Sequence, residues 1–222
     1  MNRAFLPFVK SLLVATLAFS GFGFASAAAP VAAPVKADAA KGATLYENGD
    51  AARGVPACVS CHGAAGNSTI GVNPKLSAQI EAYTYKQLMD FTTPNRVNPI
   101  MTSIAKALSD EEKKNLAAYL ATAVAKPGAA KNKDTVALGK TIYRGGIAST
   151  GVAACASCHG ANGNGIPAQF PRLAGQHKEY TVAQLQSFKA GTRKNSVQMT
   201  TLSQRMTDKE MEAVADYIAG LK

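Results

Sequence analysis

Near residue 110 the chain reads DEEKKNLAAYLATAVA, and near residue 208 it reads DKEMEAVADYIAGL. Leu116, Tyr119 and Leu120 recur in the first stretch at the three- and four-residue spacing that lines one face of a helix. Val214, Tyr217 and Ile218 do the same in the second. Ser109 with Glu112, and Thr207 with Glu210, place a capping box in front of each run. Asp38 and Asp134 stand where they can cap two earlier helices leading to Tyr46 and Tyr143. Glycine- and proline-rich loops lie between these segments, without the strict alternation of strands. The pattern predicts an all-α fold.

The first residues follow a different pattern. Arg3 and Lys10 precede an apolar run over residues 12–24, and Ala25-Ser26-Ala27 follows it. A basic start, a short apolar stretch and small residues describe a secretory signal peptide, assigned to residues 1–27. The run is short for a membrane span, so the remainder is expected to be exported and soluble. Residues 28–36, rich in alanine and proline, read as a flexible lead-in.

Beyond that point the pattern repeats itself. Gly42-Ala43-Thr44-Leu45-Tyr46 matches Gly139-Lys140-Thr141-Ile142-Tyr143 at an offset of 97 residues. Pro74-Lys75-Leu76 matches Pro171-Arg172-Leu173, Gln79 matches Gln176, and Tyr83-Thr84 matches Tyr180-Thr181. After one inserted residue the offset is 98, which pairs Leu108 with Met206 and Tyr119 with Tyr217. The sequence is therefore two copies of one helical unit, expected at residues 37–126 and 135–222. Pro127, Gly128 and the small and polar residues after them mark an exposed linker at 127–134.

Composition adds a constraint and charge adds a direction. At 47% hydrophobic residues the chain is globular in character, yet a unit of this size stabilises itself poorly with side chains alone. Each copy should therefore enclose something else. The formal net charge is +10, without a run of like charges, and an exported chain rarely meets nucleic acid. Residues 36–126 carry ten basic and eight acidic side chains, whereas residues 127–222 carry twelve and six. The second copy is the more positive, and Lys189, Arg193 and Lys194 are expected to steer it toward acidic partner surfaces.

The chemistry sits in one duplicated dozen. Residues 56–67 read PACVSCHGAAGN and residues 153–164 read AACASCHGANGN. Four cysteines in an exported chain suggest disulfides, two redox dithiols or a four-cysteine zinc site. The histidine joined to each second cysteine points elsewhere, because C-x-x-C-H is the spacing of covalent haem attachment. Two thiols bind the edge of the ring and the next residue presents its imidazole beneath the iron. On this reading Cys58 and Cys61 hold one haem c with His62 as axial ligand. Cys155 and Cys158 hold a second, with His159. His177 matches Ile80 in the first copy and is expected to be a surface residue.

A sixth ligand should recur in both copies, whereas packing residues are free to drift. Met101 lies 39 residues after His62, and Met199 lies 40 after His159. Met89, Met206 and Met211 match Gln186, Leu108 and Lys113 instead. Met101 and Met199 are the expected axial partners; thioether sulfur favours ferrous iron and raises the potential.

With both C-x-x-C-H sites, both later methionines and the paired NPKLSAQ and FPRLAGQ segments, the chain resembles tandem class I cytochromes c of the dihaem cytochrome c4 family. The resemblance spans nearly all of the sequence after the leader. It implies two helical domains related by a pseudo-twofold, each wrapped around one haem. It also implies that the carbonyls of Pro74 and Pro171 accept a hydrogen bond from the ligand histidines, and that Gly42 and Gly139 allow the first helix to cross the last, with Tyr119 and Tyr217 opposite. The implied role is a periplasmic electron carrier without catalysis of its own, between a quinol-oxidising cytochrome complex and a terminal oxidase or reductase. Peripheral association with the membrane would suit such a carrier.

Two other roles bear on the same residues. A dihaem peroxidase needs an open sixth position and acid–base groups nearby; neither loop carries a second histidine–carboxylate pair. The cytochrome subunit of a larger oxidoreductase, such as a flavocytochrome dehydrogenase, fits the same residues as the free carrier.

Overall fold

The computed structural model describes residues 36–222. The leader assigned to residues 1–27, and all but the last residue of the lead-in, lie outside the described residues.

The first copy contains α1 (Ala39–Asn48), α2 (Val59–His62), α3 (Glu81–Asp90), α4 (Pro99–Ala107) and α5 (Asp110–Thr122). The second contains α6 (Lys133–Gly145), α7 (Ala156–His159), α8 (Lys178–Lys189), α9 (Val197–Gln204) and α10 (Asp208–Gly220). Among the described residues there are isolated bridges but no strands. None of these helices is long and apolar enough to cross a membrane.

In each copy the first helix packs on the last, α1 on α5 and α6 on α10. The crossings close on glycine. A Cβ on Gly42 would stand 2.0 Å from the Asn115 carbonyl oxygen, and one on Gly139 would stand 2.1 Å from that of Ala213. No side chain fits at either point. One turn further, Tyr46 meets Tyr119 with ring centroids 5.4 Å apart, and Tyr143 meets Tyr217 at 5.5 Å. The core follows from these crossings. Tyr46, Val55, Leu108, Leu116 and Leu120 fill the first copy. Ile142, Tyr143, Val152, Leu185, Met206, Met211, Val214 and Ile218 fill a larger core in the second.

Both capping boxes form, at Ser109 with Glu112 and at Thr207 with Glu210. Asp38 caps α1 through Ala40 and Lys41. Asp134 does not cap α6; Asn132 takes that place, and Asp134 lies in the first turn. The reason is a buried carboxylate. Asp216 is 1% exposed and accepts from the backbone N–H groups of Lys131 and Asn132, which starts the helix two residues earlier. The first residues of α6 thus fall inside the 127–134 segment.

The copies meet along a seam of reciprocal contacts. Arg96 and Arg193 form an antiparallel bridge, and both are buried. Arg96 donates to Gln87 at 2.6 Å and to the Tyr180 hydroxyl at 3.1 Å. Arg193 donates to Gln184 at 2.8 Å and to the Tyr83 hydroxyl at 3.1 Å. Each guanidinium also lies over a phenylalanine of its own copy, Phe91 or Phe188. Arg193 is 7% exposed, so it cannot join Lys189 and Lys194 in steering a partner. Burial against Tyr83, Gln87 and Gln184 overrides its charge.

Candidate functional site

Each C-x-x-C-H dozen folds into a single helical turn. Cys58 stands at the start of α2 and its carbonyl accepts from the His62 N–H at 2.9 Å; Cys155 does the same for His159 at 2.9 Å. The turn stops at a glycine in the left-handed region, Gly63 at φ 71° and Gly160 at φ 80°. A buried tyrosine then fixes that glycine in place. The Tyr46 hydroxyl donates to the Gly63 carbonyl at 2.7 Å, and the Tyr143 hydroxyl to the Gly160 carbonyl at 2.7 Å.

Both histidines of the motif are buried, His62 to 9% and His159 to 6% exposure. Nδ1 of His62 lies 3.0 Å from the Pro74 carbonyl oxygen, and Nδ1 of His159 lies 2.9 Å from that of Pro171. A carbonyl only accepts, so Nδ1 carries the proton and Nε2 keeps its lone pair. Burial pushes both imidazoles below their usual range, although the bond to the proline carbonyl opposes this. The neutral, ligating form therefore prevails at neutral pH.

The thiols discriminate among the chemistries open to them. All four cysteines are free. Burial pushes Cys58 and Cys155 up to about 11, far from the thiolate that a redox dithiol requires. Among the described residues no three or more His, Cys, Asp and Glu side chains gather into a metal cluster, so the four-cysteine zinc reading lacks its geometry. Paired free thiols, a following imidazole with a free Nε2, and a held Nδ1 fit covalent haem.

Met101 and Met199 take the same place on matching helices. Each is the third residue of its helix, α4 or α9, and is half-buried. The Met101 N–H is held by the side chain of Asn98 at 2.9 Å, and that of Met199 by Ser196 at 3.3 Å. The other methionines differ from these and from each other. Met206 and Met211 belong to the second core, and Met89 is exposed at the end of α3.

Three features escaped the sequence. His177 is half-buried, not a plain surface residue: its Nε2 lies 2.9 Å from the Ser68 carbonyl oxygen in the other copy. Phe170 stands edge-on to His159 at 6.0 Å, where the first copy has Asn73 donating to the Cys61 carbonyl. Gln79 and Gln176 each clamp a backbone segment of the opposite copy. The pairing of these two glutamines in the repeat was the one signal available.

Comparison with known proteins agrees with this geometry. The cytochrome c family model matches residues 39–123 and again 136–222. Cytochrome c4 of Thiocapsa roseopersicina is 44% identical over 168 residues, covering 74% of this chain and 86% of that protein. A thiosulfate dehydrogenase electron acceptor of Thiomonas intermedia is 41% identical over 223 residues, covering 98% and 93%. The crystal structure of reduced recombinant cytochrome c4 from Pseudomonas stutzeri superposes with a TM-score of 0.75 at 32% identity, over 84% of this chain and all of that one. Cytochrome c domains bind haem c covalently, and two in tandem give two haems. With this duplicated helical fold and full-length likeness to electron-transfer proteins, the chain belongs to the dihaem cytochrome c4 family, as an electron carrier and not an enzyme.

Proposed function

We propose that the chain is a periplasmic shuttle that accepts electrons from a quinol-oxidising cytochrome complex and passes them to a terminal oxidase or reductase. Cys58 and Cys61 would make the thioether links in the first domain, with His62 and Met101 holding the iron. Cys155, Cys158, His159 and Met199 would do so in the second. Each bound haem supplies one-electron exchange between ferric and ferrous iron. The residues around it orient the histidine, close the sixth position and set the potential. The observation that carries this reading is the duplicated histidine geometry. Both rings are buried, with Nδ1 on a proline carbonyl and Nε2 free.

The periplasmic assignment rests on the leader pattern, and the proposed domains are 37–126 and 135–222 with 127–134 between them, α6 reaching back into that segment as far as Lys133. Single Met101→Ala and Met199→Ala variants should each remove about half of the thioether-to-ferric-iron charge-transfer absorption and leave the other iron low-spin. Met206→Leu should leave both bands. Loss of a band in Met206→Leu, with Met199→Ala silent, would reject the ligand assignment.

Docking is assigned to the more positive second domain, now through Lys189 and Lys194 without Arg193. Lys189 also donates to the Met206 carbonyl at 2.8 Å and pairs with Asp208, so Lys194 is the cleaner probe. Reversing Lys194 should lower the association rate with an acidic acceptor several-fold at low salt, and the difference should fade as salt rises. A rate independent of both charge and salt would refute it.

A second reading makes the chain the electron acceptor of a dehydrogenase acting on a reduced sulfur compound, and so a subunit or close partner of a larger oxidoreductase. The Thiomonas intermedia relative favours it, matching nearly the whole chain. Stopped-flow reduction by a thiosulfate dehydrogenase and by a quinol-oxidising complex separates the two: the true donor reduces both haems within turnover time, the other does not.

A further inference from the structure

The seam between the two domains carries a connection that neither domain could make alone. The peptide group joining Pro74 and Lys75 faces two ways. Its carbonyl lies 3.0 Å from Nδ1 of His62 in the same domain. Its N–H donates at 2.9 Å to Oε1 of Gln176 in the other. The same glutamine donates Nε2 to the Lys75 carbonyl at 2.9 Å, so its amide is locked at both ends. The arrangement recurs in mirror fashion. The peptide joining Pro171 and Arg172 accepts from His159 at 2.9 Å and donates to Oε1 of Gln79 at 2.9 Å, and Nε2 of Gln79 donates to the Arg172 carbonyl at 3.0 Å.

A peptide whose N–H is engaged by a good acceptor becomes a better acceptor at its own carbonyl, because the two bonds polarise the same group. Such strengthening is about 10–30% per bond in condensed-phase estimates. A stronger acceptor draws the Nδ1 proton and gives the imidazole more anionic character. That makes it a more electron-donating ligand and favours ferric iron. The glutamine thus acts on the iron of the other domain through one peptide group.

We infer that Gln79 and Gln176 are trans-domain positioning residues, each lowering the potential of the haem in the opposite domain through a glutamine–peptide–histidine relay. The inference rests on His62 and His159 being the iron ligands. It predicts crossed effects. Gln176→Leu raises the potential of the haem held by Cys58 and Cys61 and weakens the His62 Nδ1–H bond, leaving the haem of its own domain unmoved. Gln79→Leu does the reverse, acting on the haem held by Cys155 and Cys158. Gln176→Glu keeps an acceptor for the Lys75 N–H, so the first haem stays at or below its wild-type potential.

The test is a spectroelectrochemical titration of the full-length holoprotein and these variants. Proton NMR of the haem methyls and histidine Nδ1–H groups assigns each potential to its domain. A crossed pattern in either leucine variant supports the relay, so one suffices if the other fails to accumulate. Equal shifts of both haems, a shift confined to the variant's own domain, or no shift with both irons still low-spin overturns the relay alone. Wild-type haems without low-spin histidine ligation overturn the relay and the ligand assignment together.

Discussion

The two domains hold the same haem motif on the same helices and stabilise it by different means. Position 113 shows this most directly. In the second domain the matching residue, Met211, is fully buried in an apolar core. In the first, Lys113 is 6% exposed and reaches the Leu108 carbonyl with its ammonium group at 2.5 Å. Burial holds that amine below its usual range, although Asp110 and Glu112 oppose this. The loop after α1 is also tied from opposite ends. Arg53 of the first domain donates to the Ala107 carbonyl and pairs with Glu112. In the second domain Arg205, which aligns with Ala107, donates instead to Gly151 at 3.0 Å. What persists in both is the tyrosine on the glycine after each histidine, the glycine crossing and the proline carbonyl. Duplication kept the hydrogen bonds that hold the histidine and its following glycine, and let the packing around them drift. The first domain, with fewer buried apolar residues and a buried lysine, should be the first to unfold.

Exchanging the two solutions should break the comparison most sharply. Met211→Lys buries an ammonium among apolar side chains in the second domain and should cost about 4 kcal/mol, enough to make that domain unfold first. Thermal unfolding followed through the two haem spectra checks the order. Lys113→Met, the reverse exchange, should stabilise the first domain by about 1 kcal/mol.

The glycine crossing should show no asymmetry. Gly42→Ala and Gly139→Ala both drive a Cβ into a backbone carbonyl, and each should destabilise its own domain by about 3 kcal/mol. Denaturant titrations of the pair should give equal losses; a loss in one domain only would mean the helices can part there.

An effect confined to one pH range belongs to Glu112. The Arg53 guanidinium holds its carboxyl down at about 2, against an ordinary 4.5. A depressed folded value contributes stability that is complete above pH about 4.5 and is lost as the pH falls toward 2. Glu112→Gln should therefore cost about 1 kcal/mol near neutrality, a modest figure for a partly exposed pair, and the deficit should shrink as the pH falls through 2. An equal deficit at both pH values would place its role in the helix cap alone.

Much of this could be read from the chain, and what could not has a common cause. The C-x-x-C-H turns, the capping boxes and the pairing of Met101 with Met199 depend on residues close in sequence or on the repeat itself. Arg193, His177 and Gln176 depend on partners across the seam, about a hundred residues away. Charge alone placed Arg193 on the surface; a tyrosine, two glutamines and a phenylalanine drew it inside. His177 has no histidine counterpart in the first copy and so reads as a surface residue, although it bonds the Ser68 carbonyl. Asp134 lost its capping role to Asn132 because Asp216, far along the chain, holds the backbone at Lys131 and Asn132 and so starts the helix two residues earlier. Gln79 and Gln176 were visible as a matched pair, but nothing local tells that each serves the other's domain.

The measurement that tests the central claim most directly is an optical redox titration of the wild-type holoprotein, with spectra recorded at each poised potential. Two low-spin haems, both titrating at clearly positive potential and both showing the thioether band when oxidised, are the result expected of two His/Met irons in a carrier. One high-spin or strongly negative haem would show that Met101 or Met199 leaves its iron open, and would contradict the assignment of both sites to electron transfer.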